Sequence, residues 1–189
     1  VNFKNVNNLN SALIFLERIP KKFKNLKKIQ KTFAHCYFDS NQTDQEFKKL
    51  TLNTDINFSR YLFFHANYLI SKNKEKKMIK TIDSSVNLYP QNLILKQLKI
   101  DQKQKKIFNN QFDCKEIKHV IAEIFYIVAN SLATQQNYTI SNFYLNLAIY
   151  LNPNFISFET LHAENFAAIN EYEEAKKLYN KIQKFGSVY

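Results

Sequence analysis

The chain has 189 residues, 45% of them hydrophobic, with 27 basic side chains against 16 acidic ones and a formal net charge of +11. A single glycine and three prolines exclude a phosphate-binding loop or a dinucleotide fingerprint, each of which needs several glycines. They also exclude a β-rich fold, which needs many turn residues, and leave an all-α protein with enough apolar side chains to pack a core.

In chain order, residues 1–20 read as a closing helix that ends at Pro20. Residues 22–37 set Phe23, Leu26, Ile29, Phe33, Ala34 and Tyr37 on one side, with Lys21, Lys24, Lys28 and Lys31 along another face at helical spacing. A polar break at Asp39–Gln42 precedes a helix start bracketed by Asp39, Asp44 and Glu46. Residues 57–72 repeat the stripe with Phe58, Leu62, His65, Ala66 and Leu69, and a break at Ser71–Asn73 leads to Met78, Ile82 and Ser85, closed by Pro90. Residues 93–121 are weaker: a lysine-rich helix, a break at Asn109–Gln111, and an abbreviated second element around Phe112–Val120. After breaks at Gln135–Asn137 and Asn152–Asn154 the pattern is regular again, as in Ile140, Phe143, Tyr144, Leu147, Ala148 and Leu151 over 139–151. The last helix opens on Glu171, Glu173 and Glu174 and carries Lys176, Lys177, Lys181 and Lys184 later, which suits the helix dipole. About ten helices joined by short polar turns predict a chain of antiparallel helix pairs.

The charge is uneven. Residues 1–50 carry 10 basic and 4 acidic side chains, 51–121 carry 13 and 6, and 122–189 carry 4 and 6. Such asymmetry can attract nucleic acid, but the joint abundance of Lys, Asn and Ile reads more simply as the coding bias of an AT-rich genome. Cys36 and Cys114 are far apart and in no metal-ligand spacing, which argues against a disulfide scaffold and suits a reducing compartment, so the protein is expected in the cytoplasm. No apolar run reaches the roughly 18 residues of a membrane span, since His65, Asn67 and Asn130 interrupt the best attempts. The first residue is Val1 rather than Met, and residue 189 completes a unit, so the chain is expected to be a segment of a longer repeat protein.

Residues 122–155 align on 156–189 at a constant offset of 34. Ala129 falls on Ala163, Leu132 on Phe166, Tyr138 on Tyr172, Ser141 on Ala175, Leu145 on Tyr179 and Ala148 on Ile182. A third unit at 59–92 reads backwards from Pro90, and 1–58 and 93–121 read as degenerate units, the latter 29 residues long. On these residues the chain resembles the tetratricopeptide repeat family, whose unit is a helix–turn–helix of 34 residues. The resemblance implies a right-handed superhelix of antiparallel helix pairs running through 1–189 as a single solenoid. Small residues such as Ala129, Ala163, Ser141 and Ala175 would let paired helices approach closely, and neighbouring units would stack because none can bury its apolar face alone.

The resemblance also implies that the first helix of each unit lines a concave groove that binds a peptide or partner helix. It puts Arg60, Phe63, Asn67 and Ile70 there, then Gln97, Asp101 and Gln104, then Glu123, Tyr126 and Asn130, then Thr160 and Glu164, all expected to be exposed. Asn67 and Asn130 match an asparagine with which some members hold a terminal carboxylate. The lysine those members place one turn earlier is replaced here by Phe63 and Tyr126, which speaks against such a clamp.

No catalytic, metal or cofactor constellation is expected, and no small-molecule substrate is evident. His35, His65, His119 and His162 lack zinc spacing, and His65 and His162 each precede the small alanine of a unit, where a packed, hydrogen-bonded imidazole is expected. Neighbouring His35 and Cys36 point apart on a helix and make no nucleophile. The sequence therefore predicts a non-catalytic scaffold for a protein or peptide partner. A basic face at 21–31 and 96–106 for nucleic acid, or a helper domain of a larger enzyme, are the alternatives.

Overall fold

The computed structural model describes residues 8–52, 57–104 and 111–188. Among these it holds ten α-helices and no strand. They are α1 (Leu9–Glu17), α2 (Lys24–Tyr37), α3 (Thr43–Thr51), α4 (Arg60–Ser71), α5 (Glu75–Leu88), α6 (Leu93–Lys103), α7 (Ile117–Thr134), α8 (Tyr138–Leu151), α9 (Ile156–Ala168) and α10 (Tyr172–Ile182). The fold is all-α, as the sequence predicts, and consecutive helices pack as pairs. The chain forms two compact units, Val1–Ile117 and Lys118–Tyr189. Part of the expected break at 109–111 and the end of the lysine-rich stretch at 96–106 lie outside the described residues.

Four of the pairs turn on one residue each. Asp39, Asn73, Gln136 and Asn170 hold φ of 53°, 54°, 60° and 64°, and they close α2, α4, α7 and α9. At all four, the left-handed residue donates to a carbonyl three positions back, and the next N–H donates five back. The bonds are Asn73 to Ile70 and Lys74 to Leu69, both 2.9 Å, then Gln136 to Ala133 and Asn137 to Leu132, both 2.9 Å. This is the Schellman stop, which satisfies the last carbonyls of a helix and reverses the chain. A glycine usually takes this place because it has no Cβ to clash, and in a chain with one glycine the task falls to Asn, Asp and Gln. Asp39 and Asn73 are 34 residues apart, as are Gln136 and Asn170, whereas 63 separate Asn73 from Gln136. A 34-residue spacing thus recurs in the backbone turns of both units.

In the first unit the core is aromatic. Phe64 stacks on Phe112 with ring centroids 4.1 Å apart, and Phe33 meets Phe112 at 5.4 Å and Phe64 at 5.8 Å. Phe112 does not belong to a short helix, contrary to the expectation for Phe112–Val120. Residues 111–116 are non-helical, and Ile117–Val120 already form the first turn of α7. Phe112 instead plugs the space between α2 and α4, and burial of its ring replaces the packing a second helix would have given.

Cys114 follows into the same core and forms a disulfide with Cys36 on α2, 78 residues earlier, with Cα atoms 5.9 Å apart. This corrects the reading of the two cysteines as unpaired thiols and removes the ground on which a reducing compartment was expected. Spacing in sequence carried no hint of the pairing, because four intervening helices bring the partners together. Lys72 and Lys115 both pair with Asp39, which fixes the 111–116 segment to the left-handed turn after α2.

In the second unit, Ala129, Leu145 and Leu161 form one cluster, and Ile156, Ala163 and Ile182 another. The small residues work as the alignment implies. Ser141 Oγ donates to the Ala129 carbonyl at 2.8 Å, so α8 lies against the backbone of α7. Asn165 then donates to Ser141 Oγ at 2.7 Å and to Asn142 Oδ1 at 2.8 Å, joining α9 to the pair through buried bonds. A buried polar link of this kind is stable only when its members are satisfied.

Two outcomes are expected. Replacing Gln136→Gly, at φ 60°, should raise unfolding free energy by about 1 kcal/mol, because a left-handed conformation costs a residue with a Cβ roughly that much. Urea unfolding followed by circular dichroism checks it. Reducing the disulfide, or replacing Cys114→Ser, should lower stability by about 2–5 kcal/mol, since the bond closes a long loop in the unfolded chain. Denaturation with and without reductant reads this directly.

Candidate partner-binding surface

The residues expected to line the groove lie on first helices, as their register requires. In the first unit Arg60, Phe63 and Asn67 follow one face of α4, and Gln97 and Asp101 follow α6. In the second unit Glu123, Tyr126 and Asn130 are on α7, and Thr160 and Glu164 on α9.

Their exposure divides them. Phe63 and Asn67 are only 4% and 7% exposed, and Gln97 and Glu123 are also buried, so the expectation that these four face solvent is corrected. The reason lies in α4 itself. Its sequence from Tyr61 to Leu69 is apolar or aromatic nearly all round, and a helix of that kind is enclosed on every side. α3, α5 and α6 all pack on it. Phe63 sets its ring edge against Phe64 at 5.9 Å, and Asn67 borders a void of about 10 Å³ beside Phe112 and the disulfide. Gln97 donates to Asp101 at 2.8 Å. Arg60, half-buried, places its guanidinium over the Phe64 ring at 5.4 Å.

The second-unit residues remain accessible apart from Glu123. Asn130 and Glu164 are exposed, and Tyr126 and Thr160 half-buried. Tyr126 leans on Phe158 of α9 at 5.6 Å, which fixes its ring while leaving part of it in solvent. Tyr126 and Asn130, one turn apart on α7, therefore offer an aromatic plate beside an amide that can bond a peptide backbone.

His65 and His162 are packed, as expected, but their bonding differs. His65 stacks on Phe47 at 5.2 Å, and its Nε2 lies 2.7 Å from Asp44 Oδ1. His162 stacks on Phe166 at 4.6 Å, yet its Nε2 is buried without a hydrogen-bond partner. In His35, Nδ1 meets Ser40 Oγ at 3.1 Å while Nε2 is buried and unpartnered. Burial lowers the pKa of all three, and in His65 it outweighs the pull of Asp44. Burial alone would raise Asp44, but the bonds from His65 and Lys48 bring it down to about 2. At neutral pH the pair is thus an imidazole donating to a carboxylate. Cys36, beside His35, holds its sulfur in the disulfide.

Sequence reasoning missed Phe112, Asn165 and the cysteine pairing. Asn165 was legible in principle, because it sits two residues after the small alanine of its unit.

No family model matches the chain, and no curated protein matches it. Among solved structures, a MamA RS-1 double mutant (ArsTM) is similar over 93% of this chain and 84% of its own, at 13% identity and a TM-score of 0.34. The C-terminal part of a TPR repeat-containing protein from Cytophaga hutchinsonii is similar over 97% and 76%, at 15% identity and a TM-score of 0.37. Likeness of that degree carries no functional argument.

The histidines set a pH response. Unfolded, each takes a proton near its ordinary value of 6.5. Folded, each resists it, so the unfolded chain binds more protons below that pH and stability must fall with acidification. The urea midpoint should therefore drop between pH 7 and pH 5, and His162→Gln should make the drop smaller.

Proposed function

We propose that this chain is a non-catalytic scaffold of the tetratricopeptide kind that holds a protein or peptide partner against the first helices of its pairs. The observation that carries the reading is the recurrence of one helix-pair geometry at 34-residue spacing, which multiplies a surface rather than building one reactive centre. Tyr126, Asn130, Thr160 and Glu164 supply the accessible part of that surface in the second unit, and Arg60 and Asp101 in the first. Because Phe63, Asn67, Gln97 and Glu123 are buried, their part is to hold the helices. Both cysteines being engaged with each other, a thiol nucleophile is not on offer.

Along α2, Lys27 pairs with Glu17 at 2.6 Å and Lys31 with Glu46 at 3.2 Å. These pairs tie part of the basic face along 21–31 to carboxylates of its own chain. The disulfide supports an oxidising compartment over the cytoplasm. Among the described residues no helix is long and apolar enough to cross a membrane.

Tyr126→Ala is the test, read by calorimetry against the tightest peptide selected on an array by the intact chain. A half-buried aromatic anchor predicts a loss of about 1–3 kcal/mol in binding, with the circular dichroism of the chain unchanged. Equal affinity for both proteins would remove Tyr126 from the surface.

A further inference from the structure

A cleft of about 450 Å³ opens between α3 and α5, with α4 as its floor. Leu62 and His65 of α4 line it. At 3.6 residues per turn these two stand on the side of α4 opposite Arg60, Phe63 and Asn67, so the cleft is separate from the surface proposed above. Its rim carries two leucines left almost fully in water, Leu52 at 77% and Leu88 at 72% exposure. Around them stand Lys48, Lys77 and Lys80. Aliphatic side chains so exposed on one cleft, ringed by ammonium groups, are the marks of a contact surface rather than of solvated helix.

The second unit supplies an internal comparison. Its cleft of about 480 Å³ between α8 and α10 has His162 lining it. The offset of 97 residues that carries Asn73 to Asn170 also carries His65 to His162, Lys77 to Glu174 and Lys80 to Lys177. The α8 side presents Thr139, Asn142 and Asn146 where α3 presents Asp44 and Lys48. Lys177 is paired with Glu174 at 2.5 Å, whereas Lys80 pairs with no carboxylate among the described residues. The architecture thus makes a cleft in both units; the second also has aliphatic lining, in Leu178 and Ile169, but of the two the first carries the basic rim.

We propose that the cleft between α3 and α5 docks an acidic segment of a partner protein. An apolar side chain of that segment would sit against Leu52, Leu62 and Leu88, and its carboxylates would meet Lys48, Lys77 and Lys80. Charge complementarity selects the acidic partner, and the leucines select a polypeptide over a polynucleotide, whose phosphate backbone has nothing to bury against them. Asp44 holds Lys48 at 3.1 Å and Lys77 at 3.5 Å. Each ammonium keeps further donors for an incoming carboxylate, and the cation positions are set before the partner arrives.

The experiment pans a random 12-residue peptide library on the intact chain, with depletion on a Lys48→Glu, Lys77→Glu, Lys80→Glu variant. Survivors are expected to be rich in Asp and Glu with a Leu or Phe anchor. They should bind the triple variant at least about tenfold more weakly, bind a Leu52→Ser, Leu88→Ser variant more weakly too, and ignore Lys177→Glu in the second-unit cleft. All these side chains are exposed, and circular dichroism confirms that the variants fold. Selection of no survivors, survivors without acidic bias, or equal loss with Lys177→Glu would each overturn the proposal. So would a single-stranded oligonucleotide, or phosphatidylserine vesicles, bound through the same lysines more tightly than any peptide.

Discussion

Four helix pairs among the described residues, α2–α3, α4–α5, α7–α8 and α9–α10, depend on the chain stopping one helix and starting the next at a fixed residue. Asp39, Asn73, Gln136 and Asn170 do this by entering the left-handed region, where two backbone bonds cap the finished helix. Once the turn is fixed, the register of the next helix follows, and with it which side chains meet. Thr43 reaches the His35 carbonyl at 2.8 Å in the first unit, and Ser141 reaches that of Ala129 at 2.8 Å in the second. A turn one residue longer or shorter would rotate the second helix by about 100° and replace these hydroxyls with large or charged neighbours. The close approach of helices, the buried polar links and the clefts beside them all follow from that one reversal.

Much of this was legible in the sequence. The 34-residue offset, the small residues at 129, 141, 163 and 175, and the polar turns are local or periodic properties, and the structure repeats them. What was not legible is long-range. The cysteines are 78 positions apart, and no spacing rule joins residues brought together by four intervening helices. Phe112 reads as helix from composition, yet its ring lies between Phe33 and Phe64 on a non-helical segment. The exposure of the groove residues failed for a different reason. Helical periodicity identifies an outward face only when one face is polar, and Tyr61–Leu69 has none, so register alone put Phe63 and Asn67 in solvent where the packing buries them.

The two units show how one scaffold can carry different chemistry. His65 and His162 occupy the same place in their pairs, but the first is bonded to Asp44 and the second has a buried, unpartnered nitrogen. Of the lysines that surround the first cleft, Lys77 is answered in the second by Glu174, Lys80 by a Lys177 paired to that glutamate, and the α3 side by uncharged side chains of α8. Backbone geometry is held constant by the turns and the small residues, so substitutions on the remaining positions change the surface without disturbing the packing. The net charge of +11 is accordingly a property of the first unit more than of the fold.

The disulfide also changes how the molecule would carry load. A pull applied on either side of the first unit passes from residue 36 to residue 114 through the sulfur bridge and bypasses the chain between them. With a sequence separation of 78 at about 3.5 Å per residue when extended, on the order of 270 Å of contour length stays out of the line of force. The segment containing α3, α4, α5 and α6 is therefore mechanically sheltered, and only the helices outside the ring can be drawn out.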